Sequence, residues 1–418
     1  MSTEVPFKIS IPDTQLELLR KKLDLVTFPD ELEDAGSRYG VPLADIKRLV
    51  ARWKDGFDWR VEEAKLNDEM PQFTRDIEVS DGHGTLNVHY VHKRSEVDGA
   101  VPLLFVHGCD FIESRKILPL LTEASRDGDF PSFHVVALSL PGFGFSEAPK
   151  KSGFTPDYHA EVAHKLMLSL GYNEYVTQGG DWGYVITRKI AMKYGGTHSK
   201  AWHTNMSMGF PPLNPISHPI LFLQWMLTPY SEPEKAGFAR WKQFQKEENG
   251  YYILQCNKPQ TVGYGYALAD SPVGLLGWIY EGLVNWTDEY PWTDDEVLTW
   301  ISIYLFSRAG PTASFRIYYE AQHSKDSGFI SLTGGNPKIP MGVSRFPKDM
   351  VVAPMSWIKT TGNVVFAGDH TSVGTNKGGG HFAAYERPEA LVEDLRNMFG
   401  RGGPAFGVTS KKGGYFEK

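Results

Sequence analysis

The pentapeptide Gly179-Gly180-Asp181-Trp182-Gly183 sits between an apolar strand ending near Val176 and a helical run through Tyr184, Ile186 and Ile190. Small residues on both sides of Asp181 suit a sharp, strained strand-to-helix turn, and the helix N-terminus behind it favours negative charge. A carboxylate held there can displace at saturated carbon, forming an alkyl ester that is then hydrolysed at its own carbonyl. Alkyl electrophiles are the substrates this predicts. The same five residues also describe an ordinary tight turn with a capping Asp, so the assignment depends on partners elsewhere in the chain.

Gly378-Gly379-Gly380-His381-Phe382 follows an apolar strand over residues 363–367 and precedes a helix around Pro388 to Phe399. A histidine on a glycine loop after a late strand matches the nucleophile, acid, base order of such sites. The acid then lies between them. Asp349, just after a predicted strand through Val343, is placed to orient His381 and stabilise its cation. Asp369 is the rival, at the end of the next strand, and either carboxylate could simply cap a loop. An oxyanion needs preorganised N–H donors, one from the residue after the nucleophile and one from the loop after an early strand. Trp182 and Cys109, the latter behind His107-Gly108, occupy those places.

These residues need rigid elements to hold them. Pro102 to Val106 and His134 to Leu138 are continuously apolar, which fits strands of a parallel sheet buried on both faces. Before them, Ile77, Val79, the turn Asp81-Gly82-His83-Gly84, then Leu86, Val88 and Tyr90 alternate as a β-hairpin. The N-terminal stretch reads as helical. Thr14 and Glu17 offer a capping box for one helix, and Ile46, Leu49, Val50 and Trp53 form the apolar stripe of another. After Ser207 about 110 residues rich in Trp, Tyr, Pro and Gly break the strand-helix alternation, and we read them as a mainly helical lid. The expected division is an N-terminal extension over 1–72, a first core part over 73–206, the lid over 207–325 and a second core part over 326–418.

Composition bounds the partners. The net charge of −7, with no basic tract, excludes the electrostatic footprint of a nucleic-acid or anionic-lipid binder. No apolar run approaches the length of a membrane span, and no signal peptide opens the chain, so a cytoplasmic protein is expected. Two cysteines, Cys109 and Cys256, are too few for a disulfide framework or a zinc site. Aromatic content of 13% is enough to line an apolar pocket.

Dense matches run along nearly the whole chain: Phe28-Pro29-Asp30-Glu31-Leu32, Tyr39-Gly40-Val41-Pro42-Leu43, Trp53 to Trp59, the Gly179 to Gly183 elbow, Asp270 to Leu275, and Gly379-Gly380-His381-Phe382-Ala383-Ala384. On these the chain resembles the microsomal-type epoxide hydrolases, in particular their soluble fungal members. The resemblance implies an α/β-hydrolase fold, conversion of an apolar or aromatic epoxide to a vicinal diol in detoxification, no metal or organic cofactor, and a homodimer. It also implies two lid tyrosines that donate to the epoxide oxygen, mapping to Tyr251 and Tyr318, each with an adjacent rival, Tyr252 and Tyr319. A phenol stays protonated at neutral pH and can donate to a developing alkoxide.

Two departures from the family pattern stand out. Where the family has His-Gly-aromatic-Pro, this chain has His107-Gly108-Cys109-Asp110-Phe111, about two residues shorter. An inward-facing Asp110 would oppose the oxyanion. Thr371 to Lys377 resembles an insertion beside the His381 loop, either a harmless surface loop or a change in the reach of His381. The rival functions are haloalkane dehalogenation, which would need halide donors, and a binding protein that kept the fold but lost turnover.

Overall fold

The computed structural model describes residues 4–108, 110–125, 127–206, 208–248, 250–261, 263–324, 335–371, 378–410 and 413–416, without the side chains of Glu248 and Tyr251. A nine-stranded sheet runs through the molecule in the order β1-β2-β3-β5-β4-β6-β7-β8-β9. Its strands are β1 (Val5–Phe7), β2 (Gln72–Val79), β3 (Gly84–Lys93), β4 (Val101–His107), β5 (Phe133–Leu138), β6 (Tyr175–Gly180), β7 (Ser199–Thr204), β8 (Pro340–Arg345) and β9 (Asn363–Asp369). From β5 to β9 all neighbours are parallel, and β1, β2 and β3 add an antiparallel flank. This is the α/β-hydrolase fold, with a helical insertion and an N-terminal extension.

The continuous apolar runs have the meaning read from the sequence. Leu103 and Phe105 of β4 enter the core on one face, while Leu104 and Val106 enter the core on the other. Alternate side chains of a strand point to opposite faces, so a strand covered on both needs no polar positions. Helices α4 (Ile117–Thr122), α5 (Pro156–Ser169) and α6 (Trp182–Tyr194) follow β4, β5 and β6 as the crossovers that parallel pairing requires.

The N-terminal extension carries α1 (Asp13–Asp24), α2 (Leu43–Asp55) and α3 (Trp59–Glu69), but it also donates β1, which pairs with β2 and which helical periodicity does not reveal. The expected capping box is not formed. Helix α1 begins two residues earlier, with Pro12 at its N-cap and no side-chain cap bond, because the fixed φ of proline already sets the entry of the chain. All four residues of the α2 stripe are buried.

Between β7 and β8 the described residues form seven α-helices: α7 (Pro219–Leu227), α8 (Glu232–Gln243), α9 (Gly250–Asn257), α10 (Gly265–Asp270), α11 (Pro272–Asn285), α12 (Asp294–Leu305) and α13 (Arg316–His323). Helix α2 packs on α11 and α12, and Arg52 pairs with Asp295 at 2.8 Å across that contact. The expected lid boundaries at residue 207 and between 325 and 326 lie outside the described residues. After β8 come α14 (Met355–Ile358), α15 (Ala383–Glu386) and α16 (Pro388–Phe399). No described helix is long and apolar enough to cross a membrane.

Candidate active site

Asp181 caps the N-terminus of α6 with φ 53° and ψ −129°, a left-handed conformation that costs a non-glycine residue about 1–3 kcal/mol. The turn tolerates it because its surroundings are overdetermined. A Cβ on Gly183 would stand 1.8 Å from the Val106 carbonyl oxygen, so α6 can press against β4 only if that position is bare. A Cβ on Gly108 would stand 1.7 Å from Asp181 Oδ1, so the loop after β4 lies directly on the carboxylate.

The two carboxylate oxygens have different partners. Oδ1 accepts from the Trp182 N–H at 2.6 Å, whereas Oδ2 lies 3.2 Å from His381 Nε2. Burial pushes the Asp181 carboxyl up, but His381, then His107 and the Trp182 N–H, more than offset this and hold it below the ordinary carboxylate value. Such a group is ionised at neutral pH and largely stripped of water.

His381 is buried, and its Nδ1 lies 3.0 Å from Asp349 Oδ1. Asp349 is fully buried, and the same oxygen accepts from the Met350 N–H at 2.7 Å. Asp369 is turned elsewhere, pairing with Arg345 at 3.2 Å and accepting from Thr371. The structure therefore brings together Asp181, His381 and Asp349, and leaves Asp369 outside. The acid and histidine loops are joined directly by the Lys348 N–H, which donates to the Gly379 carbonyl at 3.0 Å. Residues 372–377 lie outside the described residues, but Gly378 N–H donates to the His370 carbonyl at 3.0 Å, so the chain on either side of them meets.

Several residues that the sequence did not mark hold the histidine loop. Trp286, between α11 and α12, accepts the His381 N–H through its carbonyl at 2.8 Å. Asp288 accepts from Gly379 N–H at 2.9 Å, and Glu386 accepts from Gly380 N–H at 2.7 Å and from Asp288 N–H at 2.9 Å. No local motif announces these contacts, because each joins segments far apart in the chain.

At Asp181 is a small cavity of about 40 Å³, walled by Trp278, Trp286, Trp300, Tyr304, Tyr318 and Phe382 among others. Tyr318 on α13 faces it and packs edge-on to Trp182 at 5.0 Å. Its rival Tyr319 is more exposed and stacks on His323 at 4.1 Å. Tyr251 lies on α9, which packs against α13, and its side chain is outside the described residues. Neighbouring Tyr252 sits 5.7 Å from the Tyr318 ring. Cys109 lies outside the described residues.

Asp110 is buried and directed away from the nucleophile. Its Oδ1 lies 2.5 Å from Ser139 Oγ at the end of β5 and accepts from the Phe111 N–H at 2.6 Å. Burial lifts its carboxyl to about 6. The largest influences on the Asp181 charge besides burial are His381, His107 and the Trp182 N–H, while Asp110 is bonded to Ser139.

Residues 4–111 match the family model described as epoxide hydrolase N terminus, and residues 101–262 match that of the alpha/beta hydrolase fold. A putative epoxide hydrolase of Stigmatella aurantiaca is 36% identical over 404 residues, covering 94% of this chain and 84% of that protein. Epoxide hydrolase 1 of Sus scrofa is 32% identical over 94% of this chain and 88% of its own length. Among solved structures, Aspergillus niger epoxide hydrolase aligns with TM-score 0.78 and 34% identity over 94% of this chain and 95% of that one. The juvenile hormone epoxide hydrolase of Bombyx mori aligns with TM-score 0.80 at 28% identity, over 94% of this chain and 93% of that one.

Proposed function

From the premise that this chain belongs to the epoxide hydrolases, we propose that it opens the epoxide by forming an ester on Asp181 and releases the diol by hydrolysing that ester with His381 and Asp349. The observation that carries the reading is the contact line from Asp181 Oδ2 to His381 Nε2 at 3.2 Å and from His381 Nδ1 to Asp349 Oδ1 at 3.0 Å.

In the first step Asp181 Oδ2, the oxygen that does not accept from the backbone, attacks an epoxide carbon and the ring C–O bond breaks. The departing oxygen takes a proton from the phenols assigned to this task, Tyr318 and Tyr251. In the second step His381 Nε2 removes a proton from water, which attacks Asp181 Cγ. Negative charge then develops on Oδ1, where the Trp182 N–H already donates, and the N–H of Cys109 is assigned as the second donor. Collapse expels the diol oxygen, which receives the proton from His381, and the second water proton, left on the regenerated Asp181 carboxyl, passes to the tyrosinate and restores the phenol. Asp349 orients the imidazole and balances its transient charge. Neither step draws on a metal or organic cofactor.

The aromatic walls of the cavity favour apolar or aromatic epoxides. A volume of about 40 Å³ is close to that of one water molecule, so substrate entry requires the lid helices to part. We place the lid over 207–325, between the core parts 73–206 and 326–418, with the extension over 1–72. A homodimer is supported by the exposed apolar residues Leu213, Ile216, Ile220, Leu223 and Leu227 around α7, and sedimentation equilibrium tests it. A cytoplasmic, detoxifying role agrees with the expectations from composition and resemblance, and cell fractionation tests the location.

The deciding experiment incubates His381→Gln with an aryl epoxide and weighs the intact protein. A gain equal to the epoxide mass, located at Asp181, is expected. A wild-type protein that makes no diol from a broad epoxide panel, with no mass gain in the variant, overturns the mechanism.

A further inference from the structure

Asp110 is buried, strained and attached to a chain of polar groups that the mechanism above does not use. Its φ of 77° and ψ of −178° fall in a region occupied almost solely by glycine. Two residues earlier, Gly108 touches the nucleophile. From Asp110 the contacts run to Ser139 Oγ at 2.5 Å, from Ser139 Oγ to His89 Nδ1 at 2.8 Å, and from His89 Nε2 to Gln72 Oε1 at 3.0 Å. Gln72 Nε2 in turn faces Asn67 Oδ1 at 3.2 Å.

The direction of every bond in this chain follows from its far end. Asn67 is clamped by the Ile9 backbone, its Oδ1 accepting from the Ile9 N–H at 2.8 Å and its Nδ2 donating to the Ile9 carbonyl at 2.9 Å. Gln72 must therefore present its amide N–H to Asn67 and its carbonyl oxygen to His89, which fixes His89 Nε2 as a donor. The His89 ring stands among Phe7, Phe111 and Phe145, at centroid distances of 4.9, 5.0 and 5.5 Å. In that dry cage burial pushes the imidazole down to about 3, so it is neutral and Nδ1 is an acceptor. The single hydroxyl proton of Ser139 is spent on Nδ1. The short contact between Ser139 and Asp110 then needs its proton from the other side.

We propose that Asp110 is a positioning residue that in its neutral acid form donates its O–H to Ser139 and thereby anchors the loop lying on Asp181, through His89, Gln72 and Asn67, to the N-terminal extension. The alternative distribution, with a His89 cation and an Asp110 anion, keeps the same number of protons but puts both charges in an apolar surround. Holding the strained loop in place matters for the step in which charge appears on Asp181 Oδ1. This part of the inference rests on the ester mechanism proposed above.

Two measurements test it. Infrared difference spectra between wild type and Asp110→Asn, at about pH 5.5, are expected to show loss of a protonated carboxylic acid carbonyl band, whatever the mechanism at Asp181. Loss of a carboxylate band instead overturns the bond direction. In single-turnover kinetics with an aryl epoxide, Asp110→Ala and Ser139→Ala are expected to form the ester within about twofold of the wild-type rate. Its hydrolysis should slow roughly ten- to a hundredfold, the scale of a 1 Å misplacement, so that the ester accumulates by mass. Ala variants that fold and hydrolyse the ester at the wild-type ratio overturn the positioning role, and if Asp110→Ala does not fold, Ser139→Ala decides it. A wild type that forms no ester on Asp181 defeats the mechanism rather than the infrared result.

Discussion

A carboxylate serves as nucleophile only while it is ionised and poorly solvated, and Asp181 meets both conditions through one partner. Burial pushes its pKa up, and His381 is the largest influence that holds it down. Removing the imidazole leaves burial less opposed, so the acid limb of ester formation should move to higher pH in His381→Gln. Rates of mass gain between about pH 4 and 8 check this, and an unmoved limb would assign the ionisation to the Trp182 N–H and the helix N-terminus instead. At this scale the sequence was legible where chemistry and local geometry coincide, as at Asp181 and His381. It favoured Asp349 without excluding Asp369, since both end or follow strands and only packing turns one toward the imidazole.

The elements act by bringing backbone to backbone. Helix α6 can aim its N-terminus at the reacting oxygen because residue 183 has no side chain between it and the Val106 carbonyl of β4. Gly183→Ala should therefore force α6 outward, lowering stability by about 1–3 kcal/mol, as overpacking typically does. A lower urea midpoint with unchanged slope is the expected reading, together with loss of ester formation. A fully stable, active variant would show that the helix can shift without harm. Strands β4 and β5, the β2–β3 hairpin and helix α2 were all legible, because hydrophobic period and turn residues are local signals. Strand β1 was not, since three residues paired at a sheet edge carry no period of their own.

Across the whole molecule, three buried carboxyls near the site share one electrostatic consequence. Burial lifts Asp110 to about 6, Glu386 to about 7 and Glu113 to about 8. The folded chain then holds protons that the unfolded chain, with carboxyls near 4, has released. Stability from these groups is fully present below the unfolded value and is lost as pH rises through the folded ones, so their contribution to the unfolding free energy should fall between about pH 5 and 8. Glu113→Gln should flatten that slope by about 1.4 kcal/mol per pH unit, one proton's worth, in denaturant titrations at a series of pH values. An unchanged slope would mean that Glu113 ionises alike in both states.

The sequence by itself determined the reaction class and the strand-helix frame, because the elbow, the glycine loop and the apolar runs each arise from residues close together in the chain. Tertiary structure alone decided which acid meets His381, that Trp286, Asp288 and Glu386 clamp the histidine loop, and that Asp110 turns from the nucleophile to Ser139. Each of those outcomes depends on a contact across distant segments, and its energy comes from burial that no local pattern records. The Asp110 carboxyl in the loop after β4, which read as a threat to Asp181, is engaged instead by a hydroxyl 29 residues away.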